Sequence, residues 1–395
     1  MSLPLAGLRI IAIEQYGAGP FGTQHLADLG ADVIKVENGR DGGDTSRSVG
    51  PHFLGPGDSH FFEAFNRNKR SLTLDLKTPE GKEILGKLAA GSDAVFNNLR
   101  GDLPAKLGLD YAALGAIKPS VVCAHLSAYG RTGSRQAWPG YDYLMQAETG
   151  YLSLTGEPDG PPTRFGLSIV DFMTGTTAAM ALLAGVLEAR TTGRGRDLDV
   201  CLFDVALHTL SYVATWQLNG AHPTKRQPRS GHPSLTPSEL YRTRDGWIFL
   251  MCNKEKFWRV LAHLLGKPEW ITDPELCDYR ARLLHRDRVR RELDAVLMTQ
   301  DTATWMQRMA GQVPAAPVLD VAQALANPFV TEQASVREFQ HPKYGPIRGI
   351  ASPVRIADES PAHAAPRLGE HTDEILRSLG YDDPQIAGLR KRAVV

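Results

Sequence analysis

The stretch RIIAIEQYGAGPFGTQHLADLGADVIKVE, Arg9–Glu37, decides the fold. Its apolar run Arg9–Glu14 reads as a β-strand, and a glycine-rich turn follows. The next segment, Pro20 to about Leu29, carries proline where a helix tolerates it, at the first helical position. Gly30 then ends that helix, and Val33–Glu37 is a second apolar strand. Strand, helix and strand in this order form a βαβ unit, whose strands lie parallel in one sheet.

Working outward, SLTLDLK (Ser71–Lys77) alternates strictly, with Leu72, Leu74 and Leu76 on one face. A helix is expected over Pro79–Ala90. Further strands are expected at Ala94–Phe96, Val121–Leu126 and Leu198–Leu202, and a helix from Asp204 to about Leu218. Met173–Arg190 is rich in Thr, Ala and Gly, and reads as a buried, close-packed helix that stays below the roughly 20 apolar residues of a membrane span.

The composition then changes. Residues 222–237 contain Pro223, Pro228, Pro233 and Pro237 with few apolar side chains, as a linker does. Ser238–Cys252 reads as a hairpin turning at Arg244-Asp245-Gly246. Helices are expected over Lys254–Leu265 and Arg288–Met309, a loop over 354–365, and a last helix over Glu370–Leu379. The fold class is therefore α/β, a large domain with a Rossmann-like parallel sheet plus a smaller α+β domain.

The 395 residues carry 44 basic and 44 acidic side chains, so the formal net charge is zero. That balance gives no bulk attraction to nucleic acid or to an anionic membrane, and neither is expected as a partner. Cys123, Cys201, Cys252 and Cys277 form no CxxC pair or zinc knuckle, so no metal site is expected and reduced thiols in a cytoplasmic protein are. The N-terminus lacks the basic and apolar regions of a signal peptide.

Gly17-Ala18-Gly19-Pro20-Phe21-Gly22 fits G-x-G-x-x-G, and Glu37 ends the next strand, as in a dinucleotide fingerprint. The spacing argues against that use. Glu14, Gln15 and Tyr16 separate the strand from the first glycine, widening the turn where a pyrophosphate needs close backbone approach. An NAD or flavin oxidoreductase is the alternative this motif carries. The βαβ loop remains a candidate for another phosphorylated ligand.

Several motifs follow one another along the chain: LADLGADVIKVE at 26–37 with Gly43-Asp44, FNRNKRSLTLDLKTPEG at 65–81, and YGRTG at 129–133. Next come Gly140-Tyr141-Asp142 with Gln146-Ala147, Gly166 through Asp171, TGRGRDLDVCLFD at 192–204, and LGEHT at 368–372. In this order they resemble the class III CoA-transferase family, the CaiB/BaiF and formyl-CoA transferase-like proteins.

The resemblance implies that coenzyme A is moved from an acyl-CoA donor to a carboxylic acid acceptor. Asp171 matches the nucleophile, forming first an aspartyl anhydride and then an aspartyl-CoA thioester. It lies between the β-like run Leu167–Val170 and a helix starting near Thr174, where N–H dipoles favour an anion. On the residues alone, Asp171 reads better as a helix N-cap than as a nucleophile, and the ordered motifs around it reverse that preference. The resemblance further implies CoA contacts at Tyr16, Gly17, Ala18, Asn38, Leu74, Lys77, Asn97, Lys106, Tyr129 and Gly130, with no metal or redox cofactor. It implies three chain segments: 1–220 as the N-terminal part of the large domain with the CoA site, 221–330 as linker and small domain, and 331–395 returning to the large domain. It implies an interlocked homodimer of two ring-like chains.

The sequence departs from the family in places. Asn38 stands where some relatives carry a base, and FNNLR (96–100) stands where an acidic residue precedes a single Asn and an aromatic. The lid of formyl-type relatives is glycine-rich, whereas SGHPSLTPSELY (230–241) holds only Gly231, which argues against formyl-CoA and oxalate as substrates. The α-methylacyl-CoA racemases share the fold but use a Gly-His-Asp triplet. Tyr141 replaces that histidine, and a phenol is a poor acid–base partner near neutrality. A non-catalytic CoA-binding protein is a further alternative, which Asp171 argues against. Arg131, Arg135, Arg164 and Arg242 are candidates to clamp a second carboxylate, as on succinate, or are surface residues.

Overall fold

A computed structural model of the chain describes residues 3–220, 224–356 and 362–395. The expected linker 222–237 and loop 354–365 fall partly outside them. The chain divides into two units, one of Met1–Thr149, Gly166–Ser211 and Thr331–Val395, the other of Gly150–Phe165 and Tyr212–Val330. Residues 150–165 and 212–220 thus cluster with the second unit, not with the large domain assigned to 1–220.

The first unit is built on six parallel strands: β1 (Arg9–Ile13), β2 (Asp32–Glu37), β3 (Arg70–Thr73), β4 (Ala94–Asn97), β5 (Val122–Ser127) and β6 (Asp197–Cys201). Their order is β3-β2-β1-β4-β5-β6. This is the doubly wound arrangement, whose strand order reverses between β1 and β4. Ile11 pairs with Ile34 on one side and Val95 on the other. Strand β3 is shorter than the alternation of SLTLDLK suggests. The Leu74 N–H still reaches the Glu37 carbonyl, but the Asp75 N–H turns to the carbonyl of Val394.

Helix α1 (Ala18–Asp28) follows β1, α2 is His60–Asn66, and α3 (Pro79–Ala90) starts on a Thr78 side-chain cap. Helix α4 is Asp142–Glu148, and α5 is Ile169–Thr192. By length and composition α5 does suffice for a membrane span, at a mean hydropathy of 1.5, contrary to the sequence expectation. In this fold Thr174, Gly175, Ala178, Leu182 and Val186 of α5 are buried within the first unit. The core also takes Ile375 and Leu376 from the helix Thr372–Ser378 and Leu389 from the helix Asp383–Lys391. The C-terminal segment therefore packs among the strands of the N-terminal half.

The expected helix from Asp204 to Leu218 is two helices, α6 (Leu202–Thr209) and α7 (Ser211–Gly220), because Ser211 adopts a left-handed φ of 48°. In the second unit, β7 (Ser238–Arg242) and β8 (Trp247–Met251) form the expected hairpin, and β9 (Ala315–Pro317) joins its edge. Trp258 of α8 (Glu255–Leu264) stacks on Trp270 at 5.7 Å in the core. The run 288–309 is also two helices, α9 (Arg286–Leu297) and α10 (Thr302–Met309). Asp301 makes the break by capping the Thr304 N–H at 2.8 Å. Strands β10 (Val336–His341) and β11 (Gly345–Ile350) form an antiparallel ribbon in the first unit.

Candidate active site

In doubly wound sheets ligands bind beyond the carboxyl ends of the strands, where the order reverses. A cleft of about 180 Å³ opens there, lined among others by Gln15, Tyr16, Asn98, Arg100, Tyr141 and Asp171. All of these belong to the first unit.

The loop after β1 is held by buried charge. Lys35 Nζ donates to the Glu14 carbonyl at 2.9 Å and pairs with Asp44 Oδ2 at 2.8 Å. Asp44 Oδ1 in turn accepts the Tyr16 N–H at 3.0 Å. Lys69 pairs with the Glu14 carboxylate at 2.7 Å, and burial pulls its ammonium down to about 8. These contacts hold Tyr16 at a φ of 67°, a conformation costly for a bulky side chain. On the cleft side, Asn98 exchanges two hydrogen bonds with the Gln15 backbone, at 2.8 and 2.7 Å.

The three glycines of G-x-G-x-x-G make room for protein. A Cβ on Gly17 would lie 3.0 Å from Asp171 Oδ2, and one on Gly19 would lie 2.9 Å from Asn98 Cγ. A Cβ on Gly22 would stand 2.3 Å from the Gly175 carbonyl oxygen. The motif therefore lets α1 and α5 cross backbone to backbone, which brings the start of α5 against the loop.

Asp171 is the third residue of α5, since Ile169 and Val170 are already helical and Ser168 stands at the N-cap. The β-like reading of Leu167–Val170 is thus replaced by a helix start, and the N-cap reading of Asp171 falls. Its own N–H donates to Asp142 Oδ2 at 2.9 Å, and Gln146 Nε2 donates to Asp142 Oδ1 at 2.6 Å. Among the described residues nothing hydrogen-bonds the Asp171 carboxylate. Burial first, and the Asp142 charge second, push the Asp171 carboxyl up to about 7.

Of the residues assigned to CoA, Tyr16, Gly17 and Ala18 line the cleft with Asp171. Asn38 lies in a separate hollow with Thr73 and Arg390, where its Oδ1 caps the Arg40 N–H. Leu74 is buried in the core, and Lys77 is exposed. Asn97 is fully buried against His125 Nδ1 at 2.8 Å. Lys106 is exposed and paired with Asp102 at 2.6 Å. The Tyr129 hydroxyl donates to Glu148, and the Gly130 N–H to Ser127 Oγ. Arg131 grips Asp199 and Arg135 pairs with Glu148, so neither side chain reaches into the cleft. Arg164 and Arg242 belong to the second unit. Gln15, Asn98 and Arg100 also line the cleft, beyond the residues assigned to CoA. Asn98 was the legible one, as the first residue past a strand whose last residue, Asn97, is engaged within the sheet.

An open doubly wound sheet with an unpaired carboxylate at its switch point, on a helix start and with a second carboxylate beside it, defines an α/β enzyme equipped for nucleophilic or acid–base chemistry. The sequence pattern of CoA-transferase family III matches residues 5–372. The chain is 33% identical over 390 residues to the succinate–glutarate CoA-transferase of Agrobacterium fabrum, covering 95% of this chain and 96% of that one. It is also 33% identical to the acetyl-CoA:oxalate CoA-transferase of Acetobacter aceti, covering 93% of each. A crystal structure of a CaiB/BaiF family protein from Brucella suis superposes with a TM-score of 0.83 at 32% identity, over 96% of this chain and all of that one. The chain belongs to CoA-transferase family III and is a CoA-transferase.

Proposed function

We propose that Asp171 is the nucleophile of this transfer. Its carboxylate oxygen attacks the thioester carbonyl, the C–S bond breaks, and CoA leaves as thiolate, giving a mixed anhydride. The thiolate then attacks the aspartyl carbonyl and expels the first acid, leaving an aspartyl-CoA thioester. The acceptor carboxylate repeats these steps in reverse and frees Asp171. Electron pairs and charges balance at each step, so the chemistry calls for neither a metal nor a redox cofactor. The observation that carries this reading is the Asp171 carboxylate, in the cleft with no hydrogen-bond partner among the described residues.

The A. fabrum relative is named for succinate and glutarate, which supports a dicarboxylic acid as one partner here. The A. aceti relative is named for oxalate, so the composition of residues 230–241 alone is a weak ground for excluding that acid. A screen of succinyl-CoA and acetyl-CoA against glutarate, succinate and oxalate tests the choice. Transfer to glutarate from succinyl-CoA is expected, and no transfer to any dicarboxylate contradicts it.

The homodimer belongs to the same proposal. Helix α5 carries no charged side chain from Phe172 to Leu187, and Met180 and Leu187 are 65% and 67% exposed in one chain. A helix of that kind is normally covered on every side.

A further inference from the structure

Four buried polar atoms of the first unit have no hydrogen-bond partner among the described residues: Arg47 Nη1, Asp58 Oδ1, Glu63 Oε1 and His341 Nε2. None of these residues lines the Asp171 cleft. Arg47, Asp58 and His341 are 1%, 5% and 3% exposed. His341 Nε2 lies 3.9 Å from both Asp58 Oδ2 and Glu63 Oε1, and Arg47 Nη1 lies 3.8 Å from Asp58 Oδ1. These separations are too long for direct hydrogen bonds. They approach the spacing of about 4–5 Å between two groups bonded to one shared water.

Asp58, Glu63 and His341 also resemble a metal-binding set, with one ligand atom from each lying within 4.8 Å of the others. Two contacts argue against a cation. His341 Nδ1 accepts the backbone N–H groups of Lys343 and Tyr344, both at 3.1 Å. Burial keeps the ring neutral, so its one proton sits on Nε2, which then offers an N–H and no lone pair. Arg47 is fixed by two 2.8 Å bonds to the Glu37 carboxylate and turns its remaining Nη1 toward Asp58. A cation there would face two N–H donors, and an anion would face two carboxylates.

We propose that Arg47, Asp58, Glu63 and His341 together hold one buried water. The water accepts from Arg47 Nη1 and His341 Nε2 and donates to Asp58 Oδ1 and Glu63 Oε1, so two donors meet two acceptors. It ties the end of β10 to the N-terminal half of the chain. Through Arg47 it joins a hydrogen-bonded path: Glu37 Oε1 accepts the Asp44 N–H at 3.0 Å, and Asp44 accepts that of Tyr16.

The test is a crystal structure of the full chain at about 1.5 Å or better, grown at pH 8, above the value of about 7 to which burial lifts Glu63. One isolated density peak within hydrogen-bonding distance of all four atoms, with no anomalous signal, is expected. Direct contacts among the four groups, or an anomalous peak after soaking with Mn²⁺ or Zn²⁺, overturn the proposal. In solution, His341→Gln, which keeps an N–H donor, is expected to melt above His341→Leu. Equal melting of the two variants overturns it, and the crystal result stands alone if His341→Leu does not fold.

Discussion

The backbone N–H of Asp171 is bonded to the side chain of Asp142 at 2.9 Å. One carboxylate thus occupies a donor of the helix start that would otherwise steady the other. Asp142 is buried and further held by Gln146, while Asp171 keeps a free carboxylate beside a like charge. Such pairing is a way to hold an anion unsatisfied and reactive.

In the proposed mechanism only ionised Asp171 attacks, so transfer is expected to rise with pH through an apparent pKa near 7. Asp142→Asn removes the neighbouring charge and should move this acid limb toward lower pH. A pH profile of kcat/KM measures it, and an unmoved limb in Asp142→Asn would separate the two carboxylates.

The same shift has a sign for stability. The folded value of about 7 lies above the ordinary 3.8, so between them the folded state holds a proton that the unfolded chain has released. Stability therefore falls as pH rises from 3.8 to about 7. Asp171→Asn is expected to resist urea better than the wild type at pH 8, with the difference vanishing near pH 4. A variant less stable at pH 8 would sink this reading.

Gly22→Ala places a Cβ 2.3 Å from the Gly175 carbonyl, between two backbones that cannot yield. A loss of about 1–3 kcal/mol is expected from urea melts. Gly17→Ala meets only the end of the Asp171 side chain, at 3.0 Å, and should lower kcat with a smaller loss of stability.

Helix α5 leads to an oligomer prediction. With Met180 and Leu187 covered by a partner chain, the protein should run as a dimer of about twice 43.2 kDa at nanomolar concentration. Mass photometry reads this directly, and a folded, active monomer would contradict it.

The βαβ unit and the parallel sheet are legible in the sequence because apolar strands and a proline–glycine-bounded helix are local signals. The division of helices at Ser211 and Asp301 is less legible, since apolar periodicity continues across a single turn of backbone. Asp171 is found through the order of motifs along the chain. Its partnership with Asp142 and the true use of Gly17, Gly19 and Gly22 are not, because both arise from the crossing of α1 and α5, segments far apart in sequence. The CoA assignments fare unevenly for a similar reason. Tyr16 is fixed by the loop it sits in, whereas Leu74 and Asn97 are turned inward by the packing of their strands.

The most direct measurement is peptide mass spectrometry of the protein incubated with succinyl-CoA and quenched in acid. A CoA adduct, removed by hydroxylamine, is expected on the peptide containing Asp171, and none on Asp171→Asn. An adduct on another residue, or full transfer by Asp171→Ala, would contradict the assignment of Asp171 as the nucleophile.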